Sequence, residues 1–171
     1  PPSSNGGATI TNYEHTTDGG TSWAAFSPSD TSSPVVINGL TNGTSYTIGL
    51  RAVNTVGAGD ASATLTSIPF TIPNSPTSLT TTPADTQVSV AFTPPSSNGG
   101  LSITNYEYST DGGTSWAAFS PVDVSSPVAI TGLTNGTTYA IGLRAVSAAG
   151  SGTAAAIVTS IAADTPNAPT S

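Results

Sequence analysis

Residues 87–93, QVSVAFT, alternate strictly between large apolar side chains and polar or small ones. Val88, Val90 and Phe92 share one face of this segment, and Gln87, Ser89 and Ala91 share the other. A period of two residues is typical of a β-strand with one buried face. The same alternation continues through residues 137–146, where the predicted inward side chains are Tyr139, Ile141, Leu143 and Ala145.

Five further short strands are predicted from runs of alternating or β-branched residues at 75–83, 103–110, 114–119, 126–133 and 154–161. The first of them is flanked by prolines, which is typical of an edge strand. In segment 103–110, Tyr106 and Tyr108 share one face and Glu107 lies on the other. No stretch has helical periodicity over two turns. Seven short strands at this spacing predict an all-β fold, an immunoglobulin-like antiparallel β-sandwich.

An internal repeat organises the chain. The string PPSSNGG starts at Pro1 and at Pro94, and GLTNGT starts at Gly39 and at Gly132, so both are offset by 93 residues. At this offset 55 of 78 aligned positions are identical. Solenoid repeats are about 20–50 residues long, whereas an immunoglobulin-like sandwich has about 100. The repeats are therefore predicted to be whole domains in tandem.

The predicted domain boundaries follow from the repeat. Residues 74–166 form a complete domain, and residues 167–171 begin a further repeat. Residues 1–73 lack counterparts of the first two strands and begin in the loop that follows them. Either the sequence is a window from a longer array, or a neighbouring chain supplies the missing strands by strand addition. Without those strands the inner face of this domain would be exposed, namely Tyr13, Tyr46, Ile48 and Leu50.

The composition excludes several classes of function. The formal net charge is −7, and the only basic residues besides His15 are Arg51 and Arg144, so a nucleic-acid or anionic-membrane surface is not expected. The chain has no cysteine, which excludes disulfides and thiolate metal sites. No apolar run is long enough to be inserted in a membrane. This amino-acid composition suits an extracellular or cell-surface protein, and we expect the protein to be bacterial.

One motif suggests an enzyme. The strings TTDGGTSW and STDGGTSW both fit [ST]-x-D-x-G-x-x-W, which resembles the Asp-box of sialidase-type β-propellers. A propeller needs four or more blades, whereas each copy here lies between two strands of a separate predicted sandwich. We therefore predict a structural hairpin, in which the carboxylate binds backbone amides and the tryptophan covers the turn. Its residues are Asp18, Gly19, Gly20 and Trp23 in one repeat and Asp111, Gly112, Gly113 and Trp116 in the other.

Other candidate chemistry also has a structural interpretation. Glu107 and Arg144 point outward from strands expected to be neighbours, which predicts a cross-strand ion pair, repeated as Glu14 and Arg51. His15, the only histidine, has Tyr108 as its counterpart. The aspartates near loops do not form a D-x-D-x-D-G calcium loop. We expect no catalytic residue, no metal and no cofactor.

Two long strings carry a family resemblance. GLTNGTTYAIGLRAVSAAGSG and GLTNGTSYTIGLRAVNTVGAG resemble the corner, strand and turn near the end of fibronectin type III domains. The resemblance implies tandem fibronectin type III domains, with Leu133 and Tyr139 forming a tyrosine corner and Leu40 and Tyr46 its copy. Phe92 departs from the family pattern, which usually has tryptophan on this strand.

These observations favour a non-catalytic structural or spacer repeat of a long, fibrous extracellular or cell-surface protein. Its expected partners are adjacent repeats of the same chain or neighbouring copies, with weak glycan or cell-surface contact as a further possibility. The loops lack the tryptophan, tyrosine and arginine that dominate binding hot spots. The alternatives are an accessory fibronectin type III module of a secreted carbohydrate-active enzyme, or a weak glycan-binding adhesin that uses Trp116 or Tyr108 as a stacking platform.

Overall fold

The structure is a computed structural model that describes residues 1–163, and the start of a further repeat expected at 167–171 lies outside the described residues. The regular elements of residues 1–163 are all β-strands, and none of these residues forms a helix. The chain divides into two compact units, Pro1–Pro69 and Phe70–Ser171. Residues 70–73 belong to the second unit, where Thr71 N donates a hydrogen bond to Gly99 O at 2.9 Å.

All residues of unit 1 are described, and its strands form a single antiparallel sheet. The strands occur in the order β2-β1-β3-β4 across the sheet. The long central pair is in a register that sets Glu14 opposite Arg51 and His15 opposite Leu50. The bounds are β1 (Ile10–Thr16), β2 (Ala24–Ala25), β3 (Tyr46–Asn54) and β4 (Leu65–Ser67).

Residues 70–163 of unit 2 form two antiparallel sheets. One has the order β5-β6-β9, and the other has the order β11-β10-β7-β8, with β12 also paired to β10. Their bounds are β5 (Thr77–Ala84), β6 (Gln87–Thr93), β7 (Ile103–Ser109), β8 (Ala117–Ala118), β9 (Val128–Thr131), β10 (Thr138–Ser147), β11 (Gly150–Ser151) and β12 (Val158–Ile161). The prediction of an all-β, antiparallel fold is confirmed.

The core of unit 2 lies between these two sheets. The alternation in β6 buries Val88, Val90 and Phe92, and the ring of Phe92 meets Tyr106 of β7 edge-on with centroids 4.6 Å apart. Across from them lies the predicted inward face of β10, in which Ile141, Leu143 and Ala145 are fully buried and Tyr139 packs at the margin.

Three predicted strands are markedly shorter in the structure than expected from the sequence, and segment 126–133 forms a strand only over Val128–Thr131. Within segment 114–119 only Ala117–Ala118 pair with β7, because the residues before them belong to the turn around Asp111. Within segment 154–161 the regular ladder begins at Val158. Ala155 N still donates to Leu143 O at 2.8 Å, so this segment runs beside β10 without forming a continuous strand.

Candidate functional site

The Asp-Gly-Gly motif forms a tight turn between β7 and β8. The carboxylate of Asp111 accepts hydrogen bonds from the Ser109 hydroxyl (2.7 Å), the Ser115 amide (2.9 Å) and the Ser115 hydroxyl (2.6 Å). Gly112 and Gly113 have φ angles of 76° and 92°, a region that favours glycine over residues with a Cβ atom. Both carboxylate oxygens are thus used within the turn.

These hydrogen bonds stabilise the charged form of the aspartate. They hold the pKa of Asp111 well below its usual value, with the Ser115 hydroxyl as the largest cause and the Ser115 amide next. The pKa of Asp18 is lowered in the same way by Ser22. A general acid at neutral pH needs a raised carboxyl pKa, so the shift at both turns favours a structural role.

The first residue of the motif adds further hydrogen bonds to the same turn. Ser109 is 2% exposed, and its oxygen accepts hydrogen bonds from Gly113 N at 2.8 Å and Asp111 N at 3.3 Å. Thr16, 1% exposed, occupies the same position in unit 1 and accepts from Gly20 N at 2.9 Å. Neither this hydroxyl nor the partner role of Ser115 was predicted from the sequence, although Ser or Thr is the first residue of the motif.

The tryptophan of the motif packs across the sheet next to the turn. Trp116 is half-buried, and its indole N–H donates to Gly113 O at 3.1 Å. The guanidinium carbon of Arg144 lies 4.3 Å from the centre of the indole ring, a cation–π arrangement. The edge of the indole also closes over Gly142, where an added Cβ would lie 3.1 Å from Cη2 of Trp116.

The charged residues predicted to pair lie opposite each other. Arg144 Nε is 2.6 Å from Glu107 Oε2, and the Ser151 hydroxyl donates to the same oxygen at 2.9 Å. Unit 1 repeats the arrangement, with Arg51 2.6 Å from Glu14 and 4.5 Å from the centre of the Trp23 ring. Each repeat therefore has a tryptophan, an arginine and a glutamate stacked and paired on one sheet face.

The two tyrosines of the predicted corners bond back to the chain. The hydroxyl oxygen of Tyr139 accepts a hydrogen bond from Thr134 N at 2.9 Å, and that of Tyr46 accepts one from Thr41 N at 2.9 Å. The amide of Thr41 lowers the pKa of Tyr46. Leu133 is buried beside its corner in unit 2, whereas Leu40 is only half-buried in unit 1.

Tyr108 and its counterpart His15 lie on the inner side of their sheets. The Tyr108 ring packs against the core and lies 4.8 Å from the ring of Phe119. His15 stacks on Phe26 at the same centroid distance of 4.8 Å, and its Nδ1 atom has no hydrogen-bond partner among residues 1–163. The structure therefore places Tyr108 away from the outer face that carries Trp116.

An open groove of about 840 Å³ lies in unit 1. It runs over Tyr13, Leu50 and Ala52, the counterparts of the core residues Tyr106, Leu143 and Ala145 in unit 2. A second, smaller groove lies over Val35, Ile37 and Ile48, whose counterparts are Val128, Ile130 and Ile141. The side chains that line both grooves correspond to residues that β5 and β6 help to cover in unit 2.

Within residues 1–163, no three His, Asp or Glu side chains lie close enough together to hold a metal ion. Among the same residues, no helix has the length and apolarity needed to span a membrane.

Comparison with known proteins gives one family and a shared architecture. The family model described as the fibronectin type III domain matches residues 74–161. The crystal structure of domains A168-A170 from titin is similar over 90% of this chain and 55% of that chain, at 17% identity and a TM-score of 0.57. That of the chicken CNTN1 FN1-FN3 domains is similar over 88% and 54%, at 17% identity and a TM-score of 0.48. The chain thus spans about half the length of either match.

Proposed function

Because the chain belongs to the fibronectin type III domain family, we propose that it is a non-catalytic structural and spacer segment of a longer extracellular or cell-surface protein. Fibronectin type III domains are typical of such proteins, and the family has been assigned to residues that form a complete two-sheet unit here. In this role each repeat adds a folded unit of fixed size, and the copy number sets the distance between the parts of the protein that it separates.

One observation carries the proposal: the side chains that could bind or react with a ligand form hydrogen bonds, ion pairs and stacking contacts with neighbours in their own repeat. Asp111 is held by two serines, Arg144 lies between Glu107 and Trp116, and the same pairings occur in unit 1. Both oxygens of the Asp111 carboxylate accept short hydrogen bonds from within its own turn, which holds the group in place there. These groups contribute to the stability of the sheet face and its turn.

Surface composition supports the same role. The formal net charge of −7 with 6% charged residues gives a weakly acidic surface, which limits self-association between neighbouring molecules. The loop at residues 94–100, next to the start of unit 2, consists of proline, serine, asparagine and glycine, and binding hot spots rarely consist of such residues.

The spacer role is tested by the length of tandem chains. Chains with one, two and four copies of residues 70–163 should gain a constant increment in maximum dimension per copy by small-angle X-ray scattering. Glycine–serine chains of equal residue number are the control, because their dimension grows roughly as the square root of length. A dimension that follows the control, or stops growing after two copies, would contradict the proposal.

Two alternatives differ in what they require. As an accessory module of a carbohydrate-active enzyme, the segment would lie beside a catalytic domain in the same polypeptide. As a glycan-binding adhesin, it would need an exposed aromatic platform, but Tyr108 is packed against the core and the Trp116 ring carries Arg144. A glycan array on which the chain binds sugars, with binding lost in Trp116→Ala and kept in Trp23→Ala, would favour the adhesin role over the spacer role.

A further inference from the structure

The chain contains several Asn-Gly pairs, and their side chains and backbones can react with each other. In such a pair the backbone nitrogen of the glycine attacks the side-chain carbonyl carbon of the asparagine, and glycine has no Cβ to hinder the approach. Pairs of this kind begin at Asn5, Asn38, Asn42, Asn98 and Asn135. Their local chemistry is the same, so the fold decides which of them is free to react.

The pair at Asn135 is held at both reacting groups. Its side-chain Nδ2 donates to Asp85 Oδ1 at 2.8 Å, and its Oδ1 accepts from Thr86 N at 2.8 Å. The attacking atom is also occupied, because Gly136 N donates to Ala162 O at 2.8 Å. Three hydrogen bonds must therefore open before this pair can react.

Three other pairs have their glycine amide in a hydrogen bond. Gly99 N donates to Ser97 Oγ at 3.2 Å, and Gly6 N donates to Ser4 Oγ at 3.1 Å. Gly43 N donates to the backbone oxygen of Pro69 at 2.9 Å. In each case the nitrogen that would attack is engaged with a neighbour.

The pair at Asn38 differs from the other four. Asn38 and Gly39 are both exposed, and among residues 1–163 neither the Asn38 side chain nor Gly39 N has a hydrogen-bond partner. Gly39 has a φ of 77°, and an added Cβ there would meet nothing within 4 Å. The attacking nitrogen and the carbonyl carbon are thus both unrestrained.

Unit 2 shows that this freedom belongs to the position itself. The counterparts are Thr131 and Gly132, and Thr131 lies opposite Gln87 of β6. Thr131 is exposed although β6 lies beside it, Gly132 has a φ of 76°, and a Cβ on Gly132 would also meet nothing within 4 Å. Within residues 1–163, Gly132 N has no hydrogen-bond partner either. An asparagine at this position of a two-sheet unit would therefore also lie next to a free glycine amide.

We propose that Asn38 is a self-modification site, at which the folded chain converts asparagine to aspartate and isoaspartate without an enzyme. Gly39 N attacks Cγ of Asn38, so that an N–Cγ bond forms and the Cγ–Nδ2 bond breaks. Ammonia leaves with the proton that the amide gives up, and a cyclic imide remains. Water then opens the ring at either carbonyl, which gives aspartate or, with the main chain rerouted through the side chain, isoaspartate.

The modification changes one repeat and spares the other. Each event adds a negative charge to a chain whose formal net charge is −7. The isoaspartate product also lengthens the main chain by a methylene shortly before Thr41, whose amide donates to the Tyr46 oxygen. Unit 2 has threonine at this position and no side-chain amide to lose. The two repeats therefore diverge in charge with age, independently of the proposed spacer function.

The test incubates the full 171-residue chain, folded and in urea, and follows every Asn-Gly pair by site-resolved mass spectrometry. In the folded chain Asn38 should convert at least about tenfold faster than Asn135, because the hydrogen bonds that hold Asn135 must open first. In urea all pairs should convert within about threefold of one another, because the fold no longer restrains them. In water enriched in heavy oxygen, the new carboxylate should carry the label.

Two exchanges between the repeats provide matched variants. Asn38→Thr gives unit 1 the residue that unit 2 already has, so the variant should fold like the original and lose the modification. Thr131→Asn gives unit 2 an Asn-Gly pair beside β6. Because Thr131 is exposed, this variant should also fold, and its new site should convert within about threefold of Asn38.

Four results would overturn the proposal. The first is equal conversion of Asn38 and Asn135 in the folded chain, and the second is conversion of Asn38 in urea alone. The third is a new carboxylate without the heavy-oxygen label. The fourth is an inert Thr131→Asn site in a chain whose Asn38 reacts, because the reactivity would then come from the surroundings in unit 1 and not from the position.

Discussion

The same leucine occurs in both repeats in two different environments, which makes it a sensitive probe of the fold. Leu143 of β10 is fully buried beneath β6, whereas Leu50 of β3 is half-buried on the inner face of the unit 1 sheet. Leu143→Ala removes three carbon atoms from a packed core. Buried Leu→Ala substitutions cost about 2.7–5.0 kcal/mol, because the lost transfer free energy is joined by a cavity term. Leu50→Ala leaves no closed cavity, so only part of the transfer term of about 1.5–3 kcal/mol is lost.

Each unit contains one of the two tryptophans, which allows the units to be followed separately. In a Trp23→Phe background the fluorescence reports on unit 2, and in a Trp116→Phe background it reports on unit 1. With a urea slope of about 1–1.5 kcal/mol per molar for a domain of this size, Leu143→Ala should lower the midpoint of unit 2 by about 2–5 M. Leu50→Ala should lower the midpoint of unit 1 by less than about 1 M. Ile141→Val and Ile48→Val form a milder matched pair, with about 0.5–1.5 kcal/mol expected at the buried site.

Equal shifts for the two leucines would refute this reasoning, since they would require the face of unit 1 to be covered as fully as that of unit 2. Repeating the titration over a wide range of protein concentration separates the causes. A Leu50→Ala effect that grows with concentration indicates cover by another molecule, whereas one that is independent of concentration indicates a core that lies within unit 1.

Three further predictions concern the turn at Asp111, the backbone at Pro73 and the outer sheet face. The pKa of Asp111 is lower in the folded than in the unfolded state. Its contribution to stability is therefore present above the unfolded pKa of about 3.9 and is lost as the pH falls below that value. Urea unfolding at each pH should show that Asp111→Asn destabilises unit 2 near neutral pH and has a smaller effect near pH 2.5. Gly152→Ala should destabilise unit 2 by about 1–3 kcal/mol, because its Cβ would meet the backbone oxygen of Pro73 at 2.5 Å. Arg144→Met should cost about 0.2–1 kcal/mol through the Glu107 pair, with more at low salt, since both side chains remain partly exposed.

Each of these predictions has a result that would contradict it. An Asp111→Asn effect that is constant from pH 7 to about pH 2.5 would mean that the carboxylate charge does not matter to the turn. A neutral Gly152→Ala would mean that the backbone at Pro73 lies elsewhere in solution. Gly59→Ala, at the counterpart position in unit 1, is the expected neutral control, because its Cβ would meet nothing closer than 3.6 Å. A salt-independent Arg144→Met effect would assign the loss to the contact with the Trp116 ring instead of the ion pair.

The sequence alone predicted the strands and the pairs that depend on local spacing. Alternation placed β6 at residues 87–93 with the correct face inward, since a strand turns successive side chains to opposite sides. The choice of Glu107 and Arg144 as neighbours followed from their outward positions on two strands expected to be adjacent, and the register sets them opposite each other. The turn at Asp111 was predictable because Asp-Gly-Gly requires a backbone that few other residues adopt.

Contacts that a segment makes with residues elsewhere in the fold could not be predicted from the sequence of that segment. The stacking of Arg144 on Trp116 depends on how far each side chain reaches across β7 and β10, which spacing does not specify. The hydroxyl of Ser109 was overlooked because Ser and Thr are ordinary strand residues until the turn brings Gly113 N within 2.8 Å.

The two repeats make it possible to separate the effects of local sequence from those of tertiary structure within one chain. Their sequences agree at 55 of 78 positions. The turns and the tyrosine corners, whose partners are close together in the chain, form in both repeats, and so do the ion pairs, because each repeat has the two paired strands that hold them. Residues 128–131 form a strand, whereas the similar residues 35–38 do not, and Leu143 is buried, whereas Leu50 is half-buried. Local sequence determined the hairpins, because their hydrogen bonds close within a few residues. Burial and the strand β9 were decided by the tertiary structure, because a strand needs a partner for its backbone and an apolar face needs a second sheet to exclude water.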